Sequence, residues 1–183
     1  MTNKEQDNSS ITTLDLINKF VDSNQRKRLN LLTQIESEVE NIFKLGPTLF
    51  EIFDSDGDDW AAGWLLQVFK KYKPDFFENT KFNKWFNTYS DIDINYDNLQ
   101  LMLVEQRFEE ADRLTSSFLR QLAGKLAEKR GYVFFSEVRN MSALDLQTID
   151  RLWTIYSNGR FGFSTQAKIL KSVGKKYELL WPK

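Results

Sequence analysis

Cysteine and histidine are both absent from the 183 residues. No zinc finger, disulfide framework, Ser-His-Asp or Cys-His nucleophile, or haem held by imidazole or thiolate can therefore be built. Any enzymatic chemistry would rest on carboxylates, Lys, Tyr or Ser/Thr, and no acid pair stands in a recognisable hydrolase motif. A surplus of one charge is also lacking. The formal net charge is -1 with a pI near 5.7, so nucleic acid is not implied by the whole chain. No run approaches the roughly 20 apolar residues of a membrane span, because charges interrupt every hydrophobic stretch. The first ten residues, MTNKEQDNSS, have neither an apolar signal region nor the Arg-rich, acid-poor character of a transit peptide. The expectation is a protein working where it is made, or a chain already processed. With only 8 Gly and 3 Pro, turn residues are few. Helices joined by short connections follow.

What the chain does contain is large flat side chains: 15 Phe, 6 Tyr and 5 Trp in 21.6 kDa, enough to bury a core without staples. Residues 1–10 read as a disordered tail. Apolar residues then recur at helical spacing at Leu14, Ile17 and Phe20, and again from Leu29 through Leu32, Ile35, Val39 and Phe43, ending at Gly46-Pro47. Asp54-Ser55-Asp56-Gly57-Asp58-Asp59 invites a calcium reading, but the sixth loop position would be Asp59 instead of Gly and the twelfth Leu65 instead of Glu. It reads as a solvated loop whose acids cap the helix Trp60 to Tyr72. Phe76, Phe77, Phe82, Trp85, Phe86 and Tyr89 read as a further helical set packed inward, and Ser90 to Asp97 as a polar linker. Residues 11–90 thus form one helical bundle and 91–183 a second unit.

In the second unit Leu99 to Val104, then Phe108 to Leu122 closed by Gly124, form a helical hairpin. A basic connector, Lys125 to Gly131, follows. Tyr132-Val133-Phe134-Phe135 cannot all face inward on one helix or strand face, so some must be exposed. Ser142-Ala143-Leu144-Asp145 has the form of a capping box with Asp in place of Glu, ahead of a helix ending at Asn158-Gly159. Residues 113–183 hold thirteen Lys/Arg against five acids. This basic face is either simply solvated or a receiver for an aromatic anion, a nucleic acid or an acidic protein surface.

An ordered series of motifs runs through this half: Phe108-Glu109-Glu110-Ala111-Asp112, Leu122-Ala123-Gly124, Leu144-Asp145-Leu146, Thr148-Ile149-Asp150, Leu152-Trp153, and Ser157-Asn158-Gly159-Arg160-Phe161-Gly162-Phe163-Ser164 with Gln166. In these residues Leu99 to Lys183 resembles the core domain of the genomes-uncoupled (Gun-four) family of tetrapyrrole-binding proteins, activators of magnesium chelatase in oxygenic phototrophs. Leu180-Trp181-Pro182-Lys183 resembles a late segment of that core, and the N-terminal half resembles the family's preceding bundle in kind only.

The resemblance implies an all-α protein, an N-terminal helical bundle followed by a cupped all-helical core. It implies a non-catalytic regulator whose apolar surface holds protoporphyrin IX or Mg-protoporphyrin IX around the large porphyrin-binding subunit of the chelatase. No cofactor or protein-held metal is required. Val133, Phe134, Phe135 and Val138 match the family's apolar loop and palm, and Trp153 is placed with them. Arg130, Arg139 and Arg151 are candidate propionate partners. For Ser157, Asn158, Gly159, Arg160, Phe161, Gly162, Phe163 and Ser164 a structural role is favoured over ligand contact. Longer family members continue past the Trp-Pro-Lys segment, so either a different affinity or selectivity or a more open pocket is expected here. Further expectations are a monomer without nucleic acid, peripheral membrane association, and residence in the plastid stroma or a cyanobacterial cytoplasm. The alternative is a helical interaction scaffold for the chelatase with a weakened or lost porphyrin site.

Overall fold

Asn24, Asp59 and Ser142 each stand just before an apolar helical series, and each accepts a backbone N–H of the first turn: Lys27 at 3.1 Å, Ala61 at 2.9 Å and Asp145 at 3.1 Å. Their short oxygen-bearing side chains satisfy donors that the helix cannot. The computed structural model of the chain describes residues 3–45, 49, 51–75 and 84–174. Its helices are α1 (Asn3–Val21), α2 (Gln25–Ser37), α3 (Val39–Leu45), α4 (Trp60–Tyr72), α5 (Asp97–Val104), α6 (Phe108–Ala123), α7 (Lys125–Arg130), α8 (Ala143–Tyr156) and α9 (Phe163–Ser172), with a 3-10 helix at Phe135–Asn140. No strand occurs among the described residues. The fold is all-α.

α4 explains the architecture. Every residue from Trp60 to Phe69 is buried, and a helix apolar on all sides must be surrounded. It packs against α8 on one side and α5 on another, while α1 lies against α2 and α3. One buried cluster runs from Ile17 and Phe20 through Trp64 and Phe69 to Leu99, Ile149 and Tyr156. The N-terminal helices and the C-terminal unit therefore share a core across the sequence boundary near residue 90. Buried polar groups along this seam are matched. Gln67 Nε2 donates to the Tyr156 carbonyl at 2.7 Å, and Gln100 accepts the Tyr156 hydroxyl at 2.9 Å while bonding both backbone groups of Phe86 at 3.1 Å. Arg28 closes the outer edge, bidentate to Asp59 at 2.5 and 2.9 Å and lying over Trp60.

Several expectations change. α1 begins at Asn3, because the polar helix formers Lys4, Glu5 and Gln6 extend it in place of a ten-residue tail. The series from Leu29 to Phe43 is two helices, since the Glu38 N–H bonds Ile35 at i−3 and the register breaks. Trp85, Phe86 and Tyr89 lie in irregular chain, not a helix, with Phe86 held by Gln100. The basic connector after Gly124 is itself the short helix α7. Ser90 to Asp97 is a pinned segment: Ile94 and Tyr96 are buried at a spacing of two, which its acidic residues disguise. Gly46-Pro47, Phe76, Phe77, Phe82 and the tail Tyr177 to Pro182 lie outside the described residues.

Candidate functional site

α6 and α8 each carry two adjacent stripes. On α8, Asp145, Ile149, Leu152 and Tyr156 face the core, while Leu146, Asp150 and Trp153 form a second row at helical spacing. On α6, Ala111, Thr115, Phe118 and Leu122 are buried, and Phe108, Asp112, Thr115 and Leu119 run beside them toward the same opening. With the loop Val133 to Met141 and the start of α9, these second rows enclose a groove in two communicating lobes. The larger, about 730 Å³, is lined by Leu119, Val133, Phe134, Phe135, Val138, Met141, Leu146, Gln147, Asp150 and Phe163. The smaller, about 370 Å³, is lined by Phe108, Glu109, Asp112, Thr115, Asp150, Trp153, Phe161, Gly162, Phe163 and Gln166. Asp150 and Phe163 belong to both lobes.

The loop is braced from below. Arg130 Nη2 donates to Glu137 Oε2 at 2.6 Å and to the Tyr132 carbonyl at 2.9 Å, and the same Glu137 oxygen accepts the Phe134 N–H at 2.7 Å. The guanidinium also covers the Phe134 and Tyr132 rings at 4.0 and 4.6 Å from their centroids. A loop so tied can present apolar side chains to solvent without collapsing: Phe135 is 85% exposed, and Phe134 and Val138 are exposed beside it.

Trp153 is half-buried against Phe108 and Phe161, and its indole N–H donates to Thr115 Oγ1 at 2.9 Å. Its ring is thereby fixed as part of the wall.

The three arginines do not share one place. Arg130 serves the loop latch and is no free cation. Arg151 donates to the carbonyls of Ser55 and Gly57, both at 3.2 Å, and to that of Asn87. One residue on from Asp150, it projects about 100° further round the helix and lines neither lobe. Arg139 is exposed on the 3-10 helix and outside the lining of both lobes.

The Ser157 to Ser164 motif combines both kinds of role. Buried Ser157 accepts the Phe161 N–H at 2.8 Å and Arg160 Nε donates to the Ser157 carbonyl at 3.0 Å, turning the chain back. Asn158 and Gly159 take left-handed φ of 55 and 72. Ser164 donates both its N–H and its hydroxyl to Asp150 Oδ1, at 3.0 and 3.2 Å, anchoring α9 to α8. Gly162 lies so close to α8 that a Cβ would sit 2.6 Å from Asp150 Oδ1. Phe161 and Phe163, however, are groove walls, so the motif also supplies contact surface. At Gly159 a Cβ would meet nothing nearer than 3.8 Å, leaving only the backbone penalty. Gly159→Ala is expected to cost about 1 kcal/mol, a fall of roughly 2–4 °C in melting temperature; an unchanged melting curve would show that this φ is not required.

Composition and spacing missed the whole α6 wall, together with Met141, Leu146, Gln147 and Asp150. The available signal was the doubled stripe, since a helix buried on one face needs only one. Among the described residues no group of His, Cys, Asp and Glu assembles that could hold a metal ion, and no helix is long and apolar enough to cross a membrane.

The half of the chain that builds this groove matches a known family. A family model described as GUN4-like matches residues 89–183. The Ycf53-like protein of Synechocystis is 47% identical over 90 residues, covering 49% of this chain and 39% of that protein. The chloroplastic tetrapyrrole-binding protein of Arabidopsis thaliana is 51% identical over 82 residues, 45% of this chain and 31% of that one. The alignments thus span only about a third of the length of these curated relatives. The solved structure of GUN4 from Chlamydomonas reinhardtii superposes with a TM-score of 0.51 at 37% identity, over 53% of this chain and 72% of that one. The family match over residues 89–183 takes in α6, α8, α9 and the loop between them, which carry the groove, and the chain belongs to the GUN4-like family.

Proposed function

We propose that this protein is a non-catalytic tetrapyrrole-binding regulator that holds protoporphyrin IX and Mg-protoporphyrin IX in the α6–α8–α9 groove and activates magnesium chelatase by presenting the ligand to its large porphyrin-binding subunit. The observation that carries the reading is the solvent-open apolar groove itself. Its larger lobe of about 730 Å³ falls in the range of sites that take a drug-sized ligand. Its walls are flat rings and aliphatic side chains of the kind that lie against an aromatic disc. The name of the Arabidopsis relative supports the ligand class. A magnesium porphyrin would bring its own four ring nitrogens, and water or a side-chain oxygen suits the hard cation as a further ligand. Chloroplastic and cyanobacterial relatives support a plastid stroma or cyanobacterial cytoplasm.

Protoporphyrin IX titrated into the protein should quench tryptophan fluorescence, through Trp153 in the wall, and shift the Soret band with saturation at micromolar concentration or below. Phe135→Ala should weaken this binding about 5- to 150-fold, since the lost aromatic contact is worth roughly 1–3 kcal/mol. Its unfolding free energy should stay within about 0.5 kcal/mol of wild type, because the ring is exposed without ligand. Linear, unsaturable quenching in the wild type would replace this reading with that of an interaction scaffold.

A further inference from the structure

The charges around the groove run against the expectation of a cation waiting for propionates. Among the described residues, the two lobes are lined by the carboxylates of Glu109, Asp112 and Asp150 and by no Lys or Arg. These acids have different surroundings. Glu109 pairs with Arg113 at 3.7 Å on the open surface, so its charge is largely answered and screened. Asp150 gives one oxygen to Ser164. Asp112 is exposed one turn after Phe108 on the groove side of α6, with no ion pair or hydrogen bond among those of the described residues. The apolar loop at the opposite end carries no acid toward the groove, because Glu137 is tied to Arg130.

We propose that Asp112, facing Asp150 across the smaller lobe, filters tetrapyrroles by edge charge: an apolar edge enters between α6 and α8, and a carboxylate-bearing edge is refused there. A tetrapyrrole with propionates on one edge only is then taken with that edge toward the loop Val133 to Met141 and Arg139. One with carboxylates on all sides has no acceptable edge. This inference rests on the tetrapyrrole reading above. Like charges a few ångströms apart at a partly hydrated surface change an equilibrium by about tenfold.

The test compares protoporphyrin IX, a dicarboxylate, with coproporphyrin III, a tetracarboxylate, by the same fluorescence titration on wild type, Asp112→Asn and Asp112→Lys. The readout is the ratio of the two dissociation constants relative to wild type, which cancels the intrinsic difference between the ligands. Asp112→Asn should move the ratio toward coproporphyrin by about threefold to tenfold and Asp112→Lys further, and the shift should shrink at high salt. Asp15→Asn on α1 makes the same change in net charge away from the groove and should leave the ratio where it is. A ratio unmoved by both Asp112 variants, or moved equally by Asp15→Asn, overturns the filter while leaving protoporphyrin binding intact. Wild type binding neither porphyrin would instead remove the tetrapyrrole reading and the filter with it.

Discussion

Gly63→Ala is expected to lower the unfolding free energy by about 2–4 kcal/mol, although alanine is the better helix former by about 1 kcal/mol. Gly63 sits in the middle of α4 where that helix crosses α8. An added Cβ would lie 2.4 Å from Ile155 Cγ2, 2.8 Å from the Ile155 carbonyl oxygen and 3.0 Å from its carbonyl carbon. The methyl could turn away, but the backbone of α8 cannot, so the two helices must separate. That separation would also disturb the bond from Gln67 to the Tyr156 carbonyl, made one turn further along the same seam. Urea denaturation should show the loss. Ile155→Ala, costly by itself because the side chain is fully buried, should cost less in the Gly63→Ala background than in wild type, because the side-chain clash goes and the backbone clash stays. A Gly63→Ala protein as stable as wild type would mean that α4 and α8 do not approach so closely. The consequence reaches the groove, since α8 presents Leu146, Asp150 and Trp153 to the lobes from its other side.

Asp145→Ala should cost roughly 2–5 kcal/mol, the penalty of leaving the buried Tyr96 hydroxyl and the part-buried Asp91 N–H without an acceptor, and a fall of about 5–20 °C in melting temperature. Asp145 is fully buried at the start of α8. One carboxylate oxygen accepts the Tyr96 hydroxyl at 2.6 Å and the other the Asp91 N–H at 2.9 Å, while Ser142, which caps α8, donates its hydroxyl to Asp91 at 2.5 Å. This carboxylate pins the 90–97 segment to α8. Burial alone would raise its pKa, but the polar groups gathered around it, the side chains of Ser142, Ser90 and Tyr96 and the Asp91 N–H, outweigh burial and hold it below the ordinary aspartate value. Tyr96 moves the other way: burial, then its bond to Asp145, push the phenol up, so it remains a donor. The sign follows from linkage. A depressed carboxylate contributes stability at every pH above its unfolded value near 3.9, and that contribution is lost as pH falls through the lower folded value. Wild-type stability should therefore hold from neutrality to about pH 4 and drop below it, while Asp145→Asn should start lower and show a shallower acid limb. Equal acid limbs in the two proteins would remove Asp145 as the responsible group.

Much of this architecture is written in local pattern. The apolar series at 3.6-residue spacing, the caps Asp59 and Ser142, and Gly124 and Gly159 as stops mark the helices, because a cap or a helical face depends on residues within one or two turns. The exposure of the Tyr132 to Phe135 run also follows locally, from the number of side chains that one face can bury. Where local chemistry is ambiguous the reading fails. Ser90 to Asp97 looks like a linker from its acids, yet Ile94 and Tyr96 enter a core whose other half comes from α6 and α8. Asp145 has the spacing of a capping-box acid, but its carboxylate goes to partners 49 and 54 positions away.

By itself, then, the amino-acid sequence determined an all-helical chain without thiol or imidazole chemistry, with a motif-rich C-terminal half and an apolar loop that could not be wholly buried. Only the tertiary structure decided which second stripes of α6 and α8 face each other to make a groove. It also decided that Arg130 and Arg151 are bound to Glu137 and to the Ser55, Gly57 and Asn87 carbonyls instead of facing a ligand, and that the charges left in the wall are acidic. The reason is physical: helix periodicity records which residues share a face, but the partner of a charged side chain is set by whichever group packing brings within about 3 Å, wherever it lies along the chain.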